Sequence, residues 1–167
     1  MELRALTSDD AVAFWQLRLT GFRDDPEAFG STAEDHATRP LTDVERELGS
    51  GEDHYVIGAF DGASLVGIIG FDRERRAKRR HRAVVWGMYV DRSARGRGVG
   101  RALLDELLAR ARRVAGLEQL LLTVMAANGS ARRLYERAGF AVYGHAPRAM
   151  LMDGAAYDED LMRLDLR

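Results

Sequence analysis

Between residues 83 and 124 the chain reads strand, glycine loop, helix, strand, and no other feature limits its fold so tightly. AVVWGMYV at 83–90 is an apolar strand-like run, and DRSARGRGVG follows at 91–100. Leu103, Leu104, Leu107, Leu108, Ala111 and Val114 then recur at three- and four-residue spacing, the pattern of an amphipathic helix. Gly116 closes it, and the apolar run 119–124 is short enough for a buried strand. Such a connection crosses right-handed and leaves its two strands parallel. Segments 91–100 and 125–130 therefore emerge at one edge of a sheet, where ligands bind in open α/β folds.

A helix starting near Val99 presents unpaired N–H groups and a partial positive charge at its N-terminus. Gly96, Gly98 and Gly100 let that backbone approach a ligand and permit the dihedrals of an anion nest, while Arg95, Arg97 and Arg101 add charge. A phosphate or pyrophosphate fits best. Two common phosphate loops are excluded by spacing. No Lys follows these glycines as a nucleotide-triphosphate loop requires, and the sixth position counted from Gly96 is Arg101, not the third glycine of a dinucleotide fingerprint.

The rest of the chain alternates strand and helix signals without repeats. Residues 2–6 suggest a first strand, and Thr7-Ser8-Asp9-Asp10 caps a helix with an apolar face of Ala11, Phe14, Trp15, the stem of Arg18 and Phe22. That helix stops near Asp24-Asp25-Pro26, a loop runs to Pro40, and 41–48 reads as a short helix ended by Gly49. Runs 54–60 and 64–71 form a hairpin about Asp61-Gly62. RERRAKRRHR at 73–82 holds seven Lys/Arg in ten residues. It reads as a solvated hairpin tip; the alternative, an anion or nucleic-acid patch, lacks interleaved aromatics for base stacking. DGAAYDEDLMRLDL near the end suggests a final hairpin.

Composition sets outer limits. With 167 residues and 46% hydrophobic content the chain suits one domain over 1–167. A net charge of -1 supplies no global field toward nucleic acid or an anionic membrane, so neither is an expected partner. Cysteine is absent, which removes thiol nucleophiles and cysteine-bound zinc, and the four histidines show no metal-ligand spacing, so no metal is expected. Without an apolar span or signal segment, the expected setting is the cytoplasm.

Arg95-Gly96-Arg97-Gly98-Val99-Gly100 resembles the Arg/Gln-x-x-Gly-x-Gly/Ala pyrophosphate loop of the GNAT superfamily of acetyl-CoA-dependent N-acyltransferases. LLLTVMAANGSARRLYERAGF at 120–140 is similar to that family's second motif, with Asn128, Ala131, Leu134, Tyr135, Gly139 and Phe140 at matching spacings. The resemblance implies an α/β fold (α+β in some schemes), a mixed, mostly antiparallel sheet with one splayed parallel strand pair flanked by helices. It implies acetyl-CoA as co-substrate and transfer of the acetyl group to a primary amine of a small molecule or peptide; a homodimer is left open. By the same resemblance, Met88, Tyr89 and Val90 lend backbone groups to the pantetheine arm and thioester. Gly96 through Arg101 hold the pyrophosphate, and Asn128 contacts the cofactor arm, a role compatible with capping the helix it precedes.

Direct attack on a thioester needs backbone donors for the oxyanion and a proton for the departing sulfur. On periodicity alone Tyr135 packs beside Leu134 and Phe140; the resemblance makes it the proton donor. Some relatives that acetylate protein N-termini carry Glu five residues before the Asn, where this chain has Thr123. A general base stays open among Glu34, Asp35, Glu74, His81, Asp158, Glu159 and a water chain, and Trp86 reads as core. The rival in another class is a non-catalytic acyl-CoA-binding or sensing module, which keeps the glycine loop and has no use for Tyr135.

Overall fold

The computed structural model describes residues 1–48 and 51–166, so the expected stop at Gly49 lies outside the described residues. Seven strands form one sheet: β1 (Glu2–Ala5), β2 (His54–Asp61), β3 (Ser64–Arg73), β4 (Arg82–Val90), β5 (Gln119–Met125), β6 (Ala141–Met152) and β7 (Ala155–Asp165). Their order is β1-β2-β3-β4-β5-β7-β6. Neighbours are antiparallel except β4 and β5, which are parallel as their crossover connection requires. The helices are α1 (Ala11–Asp24), α2 (Ala33–Ala37), α3 (Leu41–Leu48), α4 (Val99–Ala111) and α5 (Gly129–Arg137).

Each face of the sheet buries a different set of helices. On one face Leu103, Leu104 and Leu107 of α4 and Tyr135 of α5 pack against Ile57, Phe71, Val85, Leu122 and Met162. Each fully buried leucine contributes about 1.5–3 kcal/mol. On the other, Phe14 and Leu17 of α1 and Val44 of α3 pack against Val56, Ile68 and Tyr89. One β-bulge decides which β4 side chains meet which face. The β3–β4 register shifts between Ile68 and Gly70, and Gly87 takes φ +62° within β4. The extra residue resets the alternation, so that Val85 and Met88 look to the α4 side while Trp86 and Tyr89 look to the α1 side.

The connection from Asp24 to Pro40 is more ordered than a loop. Thr32 and Asp35 form a reciprocal cap in which each side chain accepts from the other's backbone N–H, and α2 follows. An Asp in place of the usual Glu or Gln, and a helix of one and a half turns, leave little periodicity to detect. Residues 73–82 form the β3–β4 hairpin tip. Arg80 pairs with Asp53 at 2.7 Å, and Arg73 donates to the Ala115 carbonyl at 2.9 Å. The final hairpin turns at Asp153 (φ +51°) and Gly154 (φ +80°), the left-handed pair of a tight turn.

Candidate active site

Strands β4 and β5 pair only over Arg82–Gln119, Ala83–Leu120 and Val84–Leu121 and then part, although both continue. The bulge at Gly87 bends β4 away at this point. Gly87 holds a left-handed φ that L side chains rarely adopt, and a Cβ there would lie 2.5 Å from Nη1 of Arg18, so a larger residue is strained and must displace that head group. The parting opens a cavity of about 90 Å³ lined by Phe29, Trp86, Met88, Thr123, Asn128 and Tyr135. Three predicted site residues, Met88, Asn128 and Tyr135, meet there.

The glycine loop lies at the same sheet edge. Asp91 accepts from Ser93 N–H, a short 3-10 turn spans Arg92–Ala94, and the chain enters α4 through Gly96 (φ +76°) and Gly98 (φ +80°). Among the described residues, no backbone acceptor meets the N–H groups from Gly96 to Arg101; the first to find one is Ala102, which donates to Gly98 O at 3.0 Å. Consecutive free N–H groups at a helix N-terminus fit a pyrophosphate. Cβ atoms on Gly96 or Gly98 would meet nothing within 4 Å, so these glycines serve backbone conformation and ligand approach rather than internal packing. Gly100 differs: a Cβ there would lie 3.2 Å from Met88 Cε.

The loop arginines have carboxylate partners. Arg95 pairs with Asp25 and donates from Nε to Val90 O at 2.9 Å, Arg97 meets Asp61 at 2.9 Å, and Arg101 meets Asp105 at 2.7 Å. Arg95 thereby ties the start of the Asp24–Pro40 connection to the end of β4. The Tyr89 side chain lies on the α1 face and donates to Asp24 at 3.2 Å, and neither Tyr89 nor Val90 lines the cleft.

Tyr135 is 7% exposed, its ring edge-on to Phe140 and its hydroxyl donating to Met88 Sδ at 3.2 Å. Burial pushes its phenol up to about 12. Asn128 caps α5 by accepting from Ala131 N–H at 3.1 Å while lining the cleft. Trp86 likewise serves two ends. Its indole lies flat over Gly70, where a Cβ would come within 2.2 Å, and it lines the cleft besides stacking on His54.

A larger cavity of about 650 Å³ opens between the Pro26–Glu34 stretch and the β6–β7 tip, lined by Phe22, Phe29, Glu34, Met150, Met152 and Tyr157 among others. Phe29 borders both cavities. A still larger basin of about 1140 Å³ lies at the opposite sheet edge, by Tyr55, Arg73 and Arg113, far from the glycine loop. The base candidates now separate. Asp35 is spent on the α2 cap, Glu74 and His81 sit at the distal hairpin, and Asp158 accepts from Arg148 N–H and meets His145. Glu34 lines the larger cavity. Glu159 stands opposite Met125 in the β5–β7 register, on the face that Met125 shares with Thr123, and no hydrogen bond to a described residue engages it.

Beside the cleft, Asp160 is 5% exposed and takes Arg132 of α5 and His145 of β6, each at 2.9 Å. The Asp160 carboxylate raises the His145 imidazole above its usual value, with Asp158 adding to the effect. Two residues carried no functional signal in sequence: Phe29, which lines the cleft from what reads as a loop, and Arg18, whose head group comes from an apolar helix face to lie against Gly87 of the cleft wall.

The sequence profile of the Acetyltransferase (GNAT) family matches residues 11–140. The N-alpha-acetyltransferase RimI of Mycobacterium tuberculosis is 39% identical over 126 residues, 75% of this chain and 75% of that protein. Among solved structures, an acetyltransferase of the GNAT family from Streptococcus pneumoniae superposes with a TM-score of 0.89 at 23% identity, over 98% of each chain. The putative acetyltransferase yncA of Salmonella typhimurium, solved with acetyl-CoA, gives 0.82 at 21% identity, over 100% of this chain and 94% of that one.

Proposed function

This chain belongs to the GNAT acetyltransferase family and transfers an acetyl group from acetyl-CoA to an amine; on that premise, we propose how its own residues carry out the transfer. The observation that carries the proposal is the run of free N–H groups from Gly96 to Arg101 beside a strand parting that holds a buried tyrosine. Residues 1–167 act as one catalytic domain in a cytoplasmic setting, on a small-molecule or peptide amine.

The residues present fit acetyl-CoA. Gly96 through Arg101 would hold its pyrophosphate by backbone donors at the α4 N-terminus, with Arg95, Arg97 and Arg101 supplying positive potential. Met88, Tyr89 and Val90 would offer β4 backbone to the pantetheine arm where β5 has turned away, and Asn128 would contact the arm from across the gap. Acetyl-CoA supplies an activated thioester carbonyl. β4 backbone N–H groups near the bulge face the charge that builds on the carbonyl oxygen during attack, a role commonly worth ~2.7–4 kcal/mol per donor.

Tyr135 delivers the proton to the leaving sulfur. A phenol near 12 facing a thiol of ordinary pKa ~8.5 is a poor match in water. Within the cleft the same burial destabilises a thiolate, so both groups move up together and the transfer stays feasible. Glu159 takes the proton from the incoming ammonium, directly or through one water. It is half-buried opposite Met125, which lines the cleft, and its side chain makes no hydrogen bond to a described residue. Thr123 at the cleft leaves the position used by some protein N-terminal acetyltransferases without a carboxylate, which favours a base from β7.

The test is calorimetry with acetyl-CoA, followed by CoA release across a panel of primary amines. Acetyl-CoA should bind and ATP should not. Binding of ATP in its place, or a Glu159→Gln variant with wild-type pH-rate behaviour, would overturn the corresponding assignments.

A further inference from the structure

The Arg18 guanidinium of α1 is buried behind the wall shared by the two cavities, packed against residues that line them. Its guanidinium carbon lies 4.7 Å from the Phe22 ring centroid, 5.4 Å from Trp86, 5.7 Å from Phe29 and 5.9 Å from Phe14. Phe22 and Phe29 line the larger cavity, Phe29 and Trp86 the cleft, and Nη1 occupies the space a Cβ on Gly87 would need. Nη1 is buried and makes no hydrogen bond, and no carboxylate pairs with Arg18 among the described residues. Glu47 is the carboxylate whose field reaches it, but Glu47 is already engaged by Arg39 and His54.

A cation in an aromatic cage gains from the ring faces, yet a buried guanidinium without a counter-ion still bears a desolvation cost that an apolar side chain would avoid. That cost shows in the guanidinium itself, pulled down to about 10 by burial, although it stays charged at neutral pH. A guanidinium that pairs with no carboxylate among the described residues, set against the cleft wall at Gly87, is suited to a partner on the substrate.

We propose that Arg18 is the anchor for an anionic group on the acceptor, and that the acetylated amine belongs to a small zwitterion bearing a carboxylate or similar oxyanion a few bonds from its nitrogen. The assignment rests on the acetyltransferase function above and narrows its acceptor. Short separation follows from geometry: Arg18 abuts Gly87, and Gly87 lines the same cleft as Tyr135. The larger cavity serves as the approach, since Glu27, Glu34 and Asp153 on its wall outnumber Arg23 and would draw a cationic amine toward the cleft. A lysine side chain or polyamine lacks a nearby anion and would set its own positive charge against Arg18.

The test compares the free amino acids with their primary amides as acceptors, following CoA release by wild type, Arg18→Met and Arg18→Lys, with acetyl-CoA affinity measured separately. Wild type should favour one or more acids over the matching amide by about 10- to 100-fold in kcat/KM, the range for a charge-assisted, desolvated contact. Arg18→Met should abolish that preference with acetyl-CoA affinity within about twofold, and its melting temperature should hold or rise because an unpaired buried charge is gone. Arg18→Lys should retain part of the preference, which also covers a Met variant that fails to fold. Equal use of acid and amide by wild type, turnover confined to neutral or cationic amines, or a preference surviving in Arg18→Met would overturn the anchor and leave acetyl transfer standing. Binding of acetyl-CoA with no turnover of any amine would overturn both.

Discussion

Tyr135→Phe removes one oxygen and keeps the ring in its edge contact with Phe140. Loss of a general acid costs ~100- to 10,000-fold in rate, whereas loss of a hydroxyl bound to a thioether is mild for packing. We expect kcat to fall by that range with acetyl-CoA affinity nearly unchanged, as stopped-flow chemistry and calorimetry would report; near wild-type turnover would remove Tyr135 from proton transfer. With the phenol near 12, the wild-type rate should show no descending limb from Tyr135 between pH ~8 and ~10. His145 tests a different coupling. Its folded pKa is raised above the unfolded ~6.5, so its bond to Asp160 stabilises fully below that value and fades as pH rises through the folded pKa. The melting-temperature gap between wild type and His145→Gln should therefore be widest in mild acid and close toward alkaline pH; a gap constant with pH would show that protonation is irrelevant there.

Among the elements, β4 and the entry to α4 contain three left-handed glycines, Gly87, Gly96 and Gly98. Gly98→Ala places a Cβ at φ +80° in open space, so the cost is conformational, about 1–2 kcal/mol. Denaturant unfolding should show that loss, and calorimetry should show weaker acetyl-CoA binding, because the N-terminus of α4 is reoriented along with its free N–H groups. Stability lost without any change in affinity would separate the loop from the ligand. Gly87→Ala has the same backbone penalty but also meets Arg18 at 2.5 Å, so it should damage acceptor turnover more than acetyl-CoA binding. The strand–loop–helix–strand order of this region was legible because glycines and a three-four apolar spacing leave a strong local pattern. The bulge was not. A single glycine inside an apolar strand reads the same whether or not the strand is bent there, and only pairing against β3 reveals the shifted register.

Over the whole molecule, the two edges of the sheet divide the charge. The basic 73–82 tip stands at the edge opposite the glycine loop, its Arg73 and Arg80 tied to Asp53. Replacing Arg75, Arg76 and Arg79 with Gln should leave acetyl-CoA affinity within about twofold, and any effect on an anionic acceptor should vanish in high salt, as expected for screened long-range steering. A large loss of acetyl-CoA affinity would contradict that separation. Local patterns in the chain determined the parallel pair, the free N-terminus of α4, the cap at Asn128 and the helical position of Tyr135, because each depends on residues within a few turns of one another. The third dimension alone decided what those residues face. Met88 reaches the Tyr135 hydroxyl from 47 positions away, Glu159 arrives beside the cleft on the last strand, and the head group of Arg18 crosses from α1 to β4. Periodicity assigns a side chain to a face of its own element, but only packing between elements determines whether that face meets core, solvent or substrate.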